Sequence, residues 1–200
     1  ALEAGTSIEI ALYWLPSAQV RIDGPDWYRA GERWIHVTTA TNLAPNGGFE
    51  DDEIRGKRLP TGWPFRVYGA PIENHELVID QRNGKETTAA RLRNSDEHLN
   101  TSFCTADVPV EPGAVYLQSG WIRSENGGRG FLSCAWSVGR KRDYTYAAKG
   151  IGDGPWTHYA GIARPLEGAG SCRLCLFNRR SQGEVSFDDV LFVELELPDT

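Results

Sequence analysis

Hydrophobic positions in this chain recur with a period of two. From Thr6 to Leu15, Ile8, Ile10, Leu12 and Trp14 alternate with Ser7, Glu9, Ala11 and Tyr13. Successive strand side chains point to opposite faces, so this spacing predicts half-buried strands. Further strands are expected at Trp34–Thr39, Phe65–Tyr68, Leu77–Asp80, Thr87–Arg93, Ser102–Val110, Val115–Arg123, Phe131–Val138, Trp156–Ala163 and Cys172–Phe177. The last is Glu184–Glu194, where Val185, Phe187, Leu191 and Val193 are placed on one face and Asp189 interrupts it. Between them lie turn signals such as Asn126-Gly127-Gly128 and Ser181-Gln182-Gly183. No window of the chain carries a helical stripe. Short strands separated by turns predict an all-β, antiparallel two-sheet jelly-roll β-sandwich.

A boundary is expected at Ala40–Pro45, where the turn Asn46-Gly47-Gly48 begins a new organisation. Residues 1–41 read as a strand-rich extension, too short to fold alone and expected to pack on the rest as added strands, the alternative being the tail of a neighbouring domain. Residues 42–200 read as the jelly roll. Gly47 and Gly48 are expected to supply positive φ at the turn, so that Phe49 enters the core.

Composition narrows the partners. The 200 residues carry 27 acidic and 21 basic side chains, a net charge of −6. Phosphate neutralisation needs clustered Lys and Arg, so nucleic acid is not the expected partner. No apolar run is long enough to span a bilayer. Met is absent, and the chain is expected to begin partway through a precursor, or after processing. Seven Trp, seven Tyr and seven Phe suit a β core, and such rings also stack on sugars. Cys172-x-x-Cys175 lacks the second pair of a zinc ribbon. On a strand these two cysteines face opposite ways, so buried free thiols are expected, with a Cys104–Cys134 pairing left open.

Four pieces of sequence stand out in order: Asn42–Glu50 with Leu59-Pro60-Thr61-Gly62-Trp63, then Val108–Trp121, then Trp156, then Val185-Ser186-Phe187-Asp188-Asp189-Val190. Together they resemble the jelly-roll carbohydrate-binding modules that bind xylans and β-glucans, in the galactose-binding-like sandwich group. The resemblance spans Asn42 to Leu195. It implies a structural calcium held by Glu50, by Asp188 or Asp189, and by a backbone oxygen near Gly48. A hard cation would answer the cost of a carboxylate inside an apolar strand. Turn capping, or pairing with an Arg, would answer it as well.

The resemblance also implies a ligand face. With Tyr116 in the core, Trp121 and Arg123 fall on the outer side of their strand. Leu174 and Leu176 read as core, leaving Arg173 and Phe177 opposite. Tyr144 and Tyr146, in the expected loop Arg140–Gly150, would wall the cleft, whereas Trp63, Trp136 and Trp156 read as structural. Exposed rings stack on the C–H faces of a pyranose while polar groups take its hydroxyls. For Trp121, packing against residues 1–39 is the rival role.

Signatures of catalysis are missing. The chain has neither Gly-x-Ser-x-Gly nor His-Glu-x-x-His, and its four His are scattered. The expectation is a non-catalytic polysaccharide- or oligosaccharide-binding module, calcium-stabilised, within a larger extracellular, cell-surface or periplasmic protein. The alternatives are a structural or protein-interaction sandwich and a small polysaccharide-acting jelly-roll enzyme.

Overall fold

The computed structural model describes residues 20–22, 27–30, 33–36, 41–49, 53–54, 57–64, 71–139 and 141–195. The expected strands Thr6–Leu15 and Phe65–Tyr68, and Glu50, lie outside them. Fifteen strands are described. The first five are short: β1 (Val20–Ile22), β2 (Trp27–Ala30), β3 (Arg33–His36), β4 (Glu53–Ile54) and β5 (Lys57–Arg58). After a single 3-10 turn at Ile72–Asn74 come β6 (His75–Arg82), β7 (Lys85–Asn94), β8 (Asn100–Cys104), β9 (Val108–Pro109) and β10 (Val115–Glu125). The last are β11 (Gly130–Val138), β12 (Lys141–Ile151), β13 (Gly154–Ala163), β14 (Ser171–Arg179) and β15 (Gly183–Leu195).

These strands form two antiparallel sheets. One runs β1-β13-β10-β15-β7-β6, and the other runs β12-β11-β14-β8 with β9 beside β14. From β7 onward the chain crosses repeatedly between sheets, the jelly-roll pattern. β2 with β3 and β4 with β5 make separate hairpins. β1 adds to the edge of the larger sheet by pairing with β13. The protein is an all-β sandwich.

Inward residues of the two sheets make one core. Tyr116 stacks on Phe192 at 4.8 Å between centroids, and Trp136 donates its indole N–H to Thr145 Oγ1 at 3.0 Å. Trp63 is fully buried beside Phe49, its indole N–H bound to the Pro45 carbonyl. Trp156, by contrast, is only partly buried.

Three local expectations are corrected. Asp189, at φ 45°, is a bulge that shifts the pleat of β15 by one residue. Val185, Phe187, Val190 and Phe192 therefore face the core, rather than Val185 and Phe187 with Leu191 and Val193. The segment Arg140–Gly150 is mostly strand β12, not a loop. Its tyrosines sit among Lys, Arg and Asp because β12 is a sheet edge with little apolar demand. At the 42–49 turn the positive φ values belong to Asn46 and Phe49, not to Gly47 and Gly48.

All four cysteines are free and buried. Cys134 and Cys172 lie in the main core, whereas Cys104 and Cys175 pair across β8 and β14 on the sheet's other face. A Cys104–Cys134 bridge is therefore ruled out by facing. Burial pushes the Cys134 thiol well above its ordinary value; a hydrogen bond with Cys104 and then burial do the same for Cys175.

Candidate functional site

The outer face of the smaller sheet carries a second apolar cluster. Its pleat is read from cross-strand partners. Phe131 sits between Lys149 and Phe177, Ser133 between Tyr146 and Cys175, and Ala135 between Tyr144 and Arg173. Leu132, Cys134 and Trp136, one residue out of phase, point into the core. Phe131, Phe177, Cys104, Cys175 and Ala135 form a buried floor, and Tyr144 and Tyr146 pack on it half-exposed.

The two tyrosine rings are nearly parallel, 23° apart with centroids at 6.2 Å. Tyr144 meets Phe177 edge-on at 6.4 Å, and Tyr146 tilts against Phe131 at 6.1 Å. Alternate residues of one strand lie on the same face. That spacing sets the rings side by side as a platform. Lys149 Nζ lies 5.1 Å from the Tyr146 ring, and the Arg129 guanidinium lies 5.6 Å from Phe131, both within cation–π range. Arg173 grips Asp107 with Nε at 2.6 Å and Nη2 at 3.2 Å, while its buried Nη1 has no hydrogen-bond partner. A platform beside polar forks suits a flat, hydroxylated ring. An open depression of about 580 Å³ adjoins this face at Arg129, bordered by the Gly-rich turns at Gly127–Gly128 and Gly150–Gly152, and by Asp153 and Arg180.

Sequence reasoning placed six residues in one site, and the structure divides them between two sheets. Tyr144, Tyr146, Arg173 and Phe177 come together on the smaller sheet. Trp121 and Arg123 belong to β10, on the outer side of the larger sheet. There Arg82 lies 4.9 Å over the Trp121 ring and His158 sits 5.2 Å from it, so the indole face is capped. Arg123 is held by Asp80 at 2.7 Å and Glu125 at 2.6 Å. Phe131, Arg129 and Lys149 were missed. Phe131 alternates one residue out of step with Leu132, Cys134 and Trp136, and that offset was the available signal.

The carboxylates Asp188 and Asp189 lie beside Trp121. Asp188 is fully buried, its Oδ2 accepting from Thr87 Oγ1 at 2.5 Å and pairing with Arg82 Nη1 at 2.7 Å. Its Oδ1 accepts the Asp189 N–H at 2.7 Å. Arg82 Nη2 also pairs with Asp189. One guanidinium therefore serves two carboxylates. Burial lifts the Asp188 carboxyl from 3.8 to about 6, and burial, then Arg82, lower His158 from 6.5 to about 4. Gly48 faces the same pair: a Cβ there would sit 3.8 Å from Asp189 Oδ1. Gly48, Asp188 and Asp189 are thus neighbours, as a shared cation would require, while Arg82 already engages both carboxylates. Among the described residues no group of three or more His, Cys, Asp or Glu is arranged to hold a metal.

No family model matches the chain, and no curated protein matches it. Solved structures do. Family 16 Carbohydrate Binding Module-2 is similar over 76% of this chain and 100% of its own, at TM-score 0.55 and 16% identity. The CBM22-1 xylan-binding domain of Paenibacillus barcinonensis Xyn10C is similar over 80% and 97%, at TM-score 0.57 and 14% identity. The fold is that of jelly-roll carbohydrate-binding modules. The enzymatically active domain of bacteriophage CBA120 tailspike protein 4 also matches, over 77% of this chain, at TM-score 0.61 and 16% identity. This chain spans only 21% of that one. No helix among the described residues is long and apolar enough to cross a membrane.

Proposed function

We propose that this chain is a non-catalytic module that holds a polysaccharide or oligosaccharide on the outer face of β12-β11-β14-β8. The observation that carries the reading is the Tyr144–Tyr146 platform on its Phe131–Phe177 floor, beside the Arg173 fork. It is supported by the fold, which a xylan-binding domain shares. Binding needs no reactive group, only a rigid surface on which sugar C–H groups stack and hydroxyls find partners. Each hydroxyl exchanges a water hydrogen bond for a protein one, a net of about 1 kcal/mol. Weak affinity that grows with oligosaccharide length is the consequence. We place the module in a larger extracellular, cell-surface or periplasmic protein.

Calorimetric titration with xylan, β-1,4-galactan, mannan and β-glucan tests this, with a parallel hydrolysis assay. At least one polymer is expected to bind, and none to be cleaved. Each tyrosine ring removed should weaken binding about tenfold, roughly 1.4 kcal/mol. Tyr144→Ala with Tyr146→Ala should thus abolish detectable binding while the thermal melt remains cooperative. Trp121→Ala should leave affinity unchanged. Cleavage of a polymer would instead favour the enzyme reading, to which the tailspike likeness lends its observation.

Calcium is proposed at Glu50, Asp189 and a backbone oxygen near Gly48, supported by the adjacency of Gly48 and Asp189. An ion bound only to the folded state at a hundredfold excess over its Kd stabilises by about 2.7 kcal/mol. Chelator is then expected to lower Tm without changing the circular dichroism spectrum. An unmoved Tm, with no metal by elemental analysis, would leave Arg82, with the Thr87 hydroxyl and the Asp189 N–H, to answer for the buried carboxylate.

A further inference from the structure

The cations of this acidic chain are unevenly placed. Alternation puts Arg142 and Lys149 of β12, and Arg173 and Arg179 of β14, on the face that bears the tyrosine platform. Along β12 the order on that face is Arg142, Tyr144, Tyr146, Lys149, a cation at each end of the two rings. Arg142 and Arg173 lie close enough to Cys175 to draw its thiol downward against the opposing effects of Cys104 and burial. Arg129 approaches the same floor over Phe131. Among the described residues, no carboxylate on strands β8, β11, β12 or β14 shares this face. Asp143 is in phase with the inward Trp136, and Asp107 lies in the β8–β9 loop, bound to Arg173.

The larger sheet shows the opposite economy. There Arg82, Arg91, Arg93 and Arg123 are each matched to Asp or Glu, among them Asp188, Glu76, Glu184 and Asp80. Cations gathered on a face whose own described strands present no carboxylate raise a local positive potential in a chain of net charge −6. A neutral sugar makes little use of that potential. A sugar bearing an anionic group does, since a charged hydrogen bond is roughly twice as strong as a neutral one.

We infer that the ligand is an anionic polysaccharide, its rings stacked on Tyr144 and Tyr146 and its carboxylate or sulfate groups taken by Arg142, Lys149 and the exposed edge of Arg129. This rests on the proposed sugar-binding role and names its substrate class. Uronates and sulfated sugars share the required chemistry.

Calorimetry on the full chain, at low salt and again at 0.5 M salt, compares four probes: polygalacturonate, dextran sulfate, xylan and polyaspartate. Polygalacturonate or dextran sulfate is expected to bind at least about tenfold tighter than xylan at low salt, with the advantage shrinking as ions screen it. The tighter of the two identifies the anionic group. Arg142→Gln should narrow the acidic-to-neutral ratio about tenfold, the worth of one charge-assisted contact. Xylan bound as tightly as either acidic polymer, with Arg142→Gln indifferent, would overturn the inference and leave the sugar-binding role standing. Polyaspartate bound as well as the acidic sugars would overturn it too, because the face would then read charge alone. Binding to none of the four would overturn the inference, and the sugar-binding role falls with it only when β-1,4-galactan, mannan and β-glucan also fail to bind.

Discussion

Arg82→Ala is expected to cost about 3–5 kcal/mol at pH 8, the usual penalty for stripping a buried charge of its partner. Arg82 is the cation within reach of the fully buried Asp188, and it also ties down Asp189 and covers the Trp121 ring. The loss should depend on pH, with a definite sign. Asp188 titrates at about 6 in the fold against 3.8 as its ordinary value, so the folded state binds the proton more readily. For this group stability is highest below pH 4, falls as pH rises through 6, and is flat above. The span of about two units is on the order of 3 kcal/mol. His158, lowered to about 4, runs the other way: its contribution is complete above pH 6.5 and fades as pH falls toward 4. In the native protein these two slopes largely cancel. Removing Arg82 takes away an influence that lowers both groups, so each accepts a proton at higher pH than before. The deficit of the variant should therefore shrink on acidification from pH 8 to pH 5. Urea midpoints of both proteins at several pH values measure it, and a deficit independent of pH would show that Asp188 is not the burden.

The period-two pattern carried the sandwich because strands buried on one face must alternate, and β10, β11, β13 and β14 do so over most of their length. What escaped it was set by pairing. Asp189 shifts β15 by one residue through a bulge, and a bulge writes no apolar signature of its own. β12 was hidden because an edge strand packs on one side only and tolerates Lys, Arg and Asp. For the site, alternation decides which residues of a strand share a face, but not which sheet the strand joins. Trp121 was read by alternation as lying off the core, and Tyr144 was expected in a loop walling the same cleft; the crossovers of the jelly roll put them on different sheets. Phe131 was expected only as the first residue of a strand, with no role attached, although its offset from Leu132, Cys134 and Trp136 sets it on the outer face. The pair Asp188-Asp189 was legible as a problem, and pairing with an Arg was among its expected answers. Arg82, distant in sequence, gave no local sign of being that Arg.

Gly47→Ala is expected to lose at least about 4 kcal/mol, in the range where a single change marks a specific structural fault. The reason is contact, not dihedral freedom. A Cβ on Gly47 would stand 2.0 Å from the Val190 carbonyl oxygen, deep inside any van der Waals limit. The obstacle is backbone on both sides, so no side chain can swing aside. Relief requires the 42–48 segment to leave β15. That would break the Val190 N–H to Gly47 carbonyl bond at 2.9 Å and the Leu43 N–H to Phe192 carbonyl bond at 2.7 Å. It would also release Asn42, whose amide donates to the Val190 carbonyl at 3.0 Å and accepts from the Phe192 N–H at 2.9 Å. Four hydrogen bonds at about 1 kcal/mol each set the scale. Gly48→Ala supplies the control. Gly48 is exposed and does not have positive φ, and its added methyl would meet only Asp189 Oδ1 at 3.8 Å, an ordinary contact. It should change stability by no more than about 0.5 kcal/mol. Chemical denaturation of the two variants side by side separates the causes. Similar small losses at both positions would mean that the chain needs these glycines only for turn flexibility; a large loss at Gly47 alone would show that the start of the jelly roll is locked against its last strand by close backbone approach.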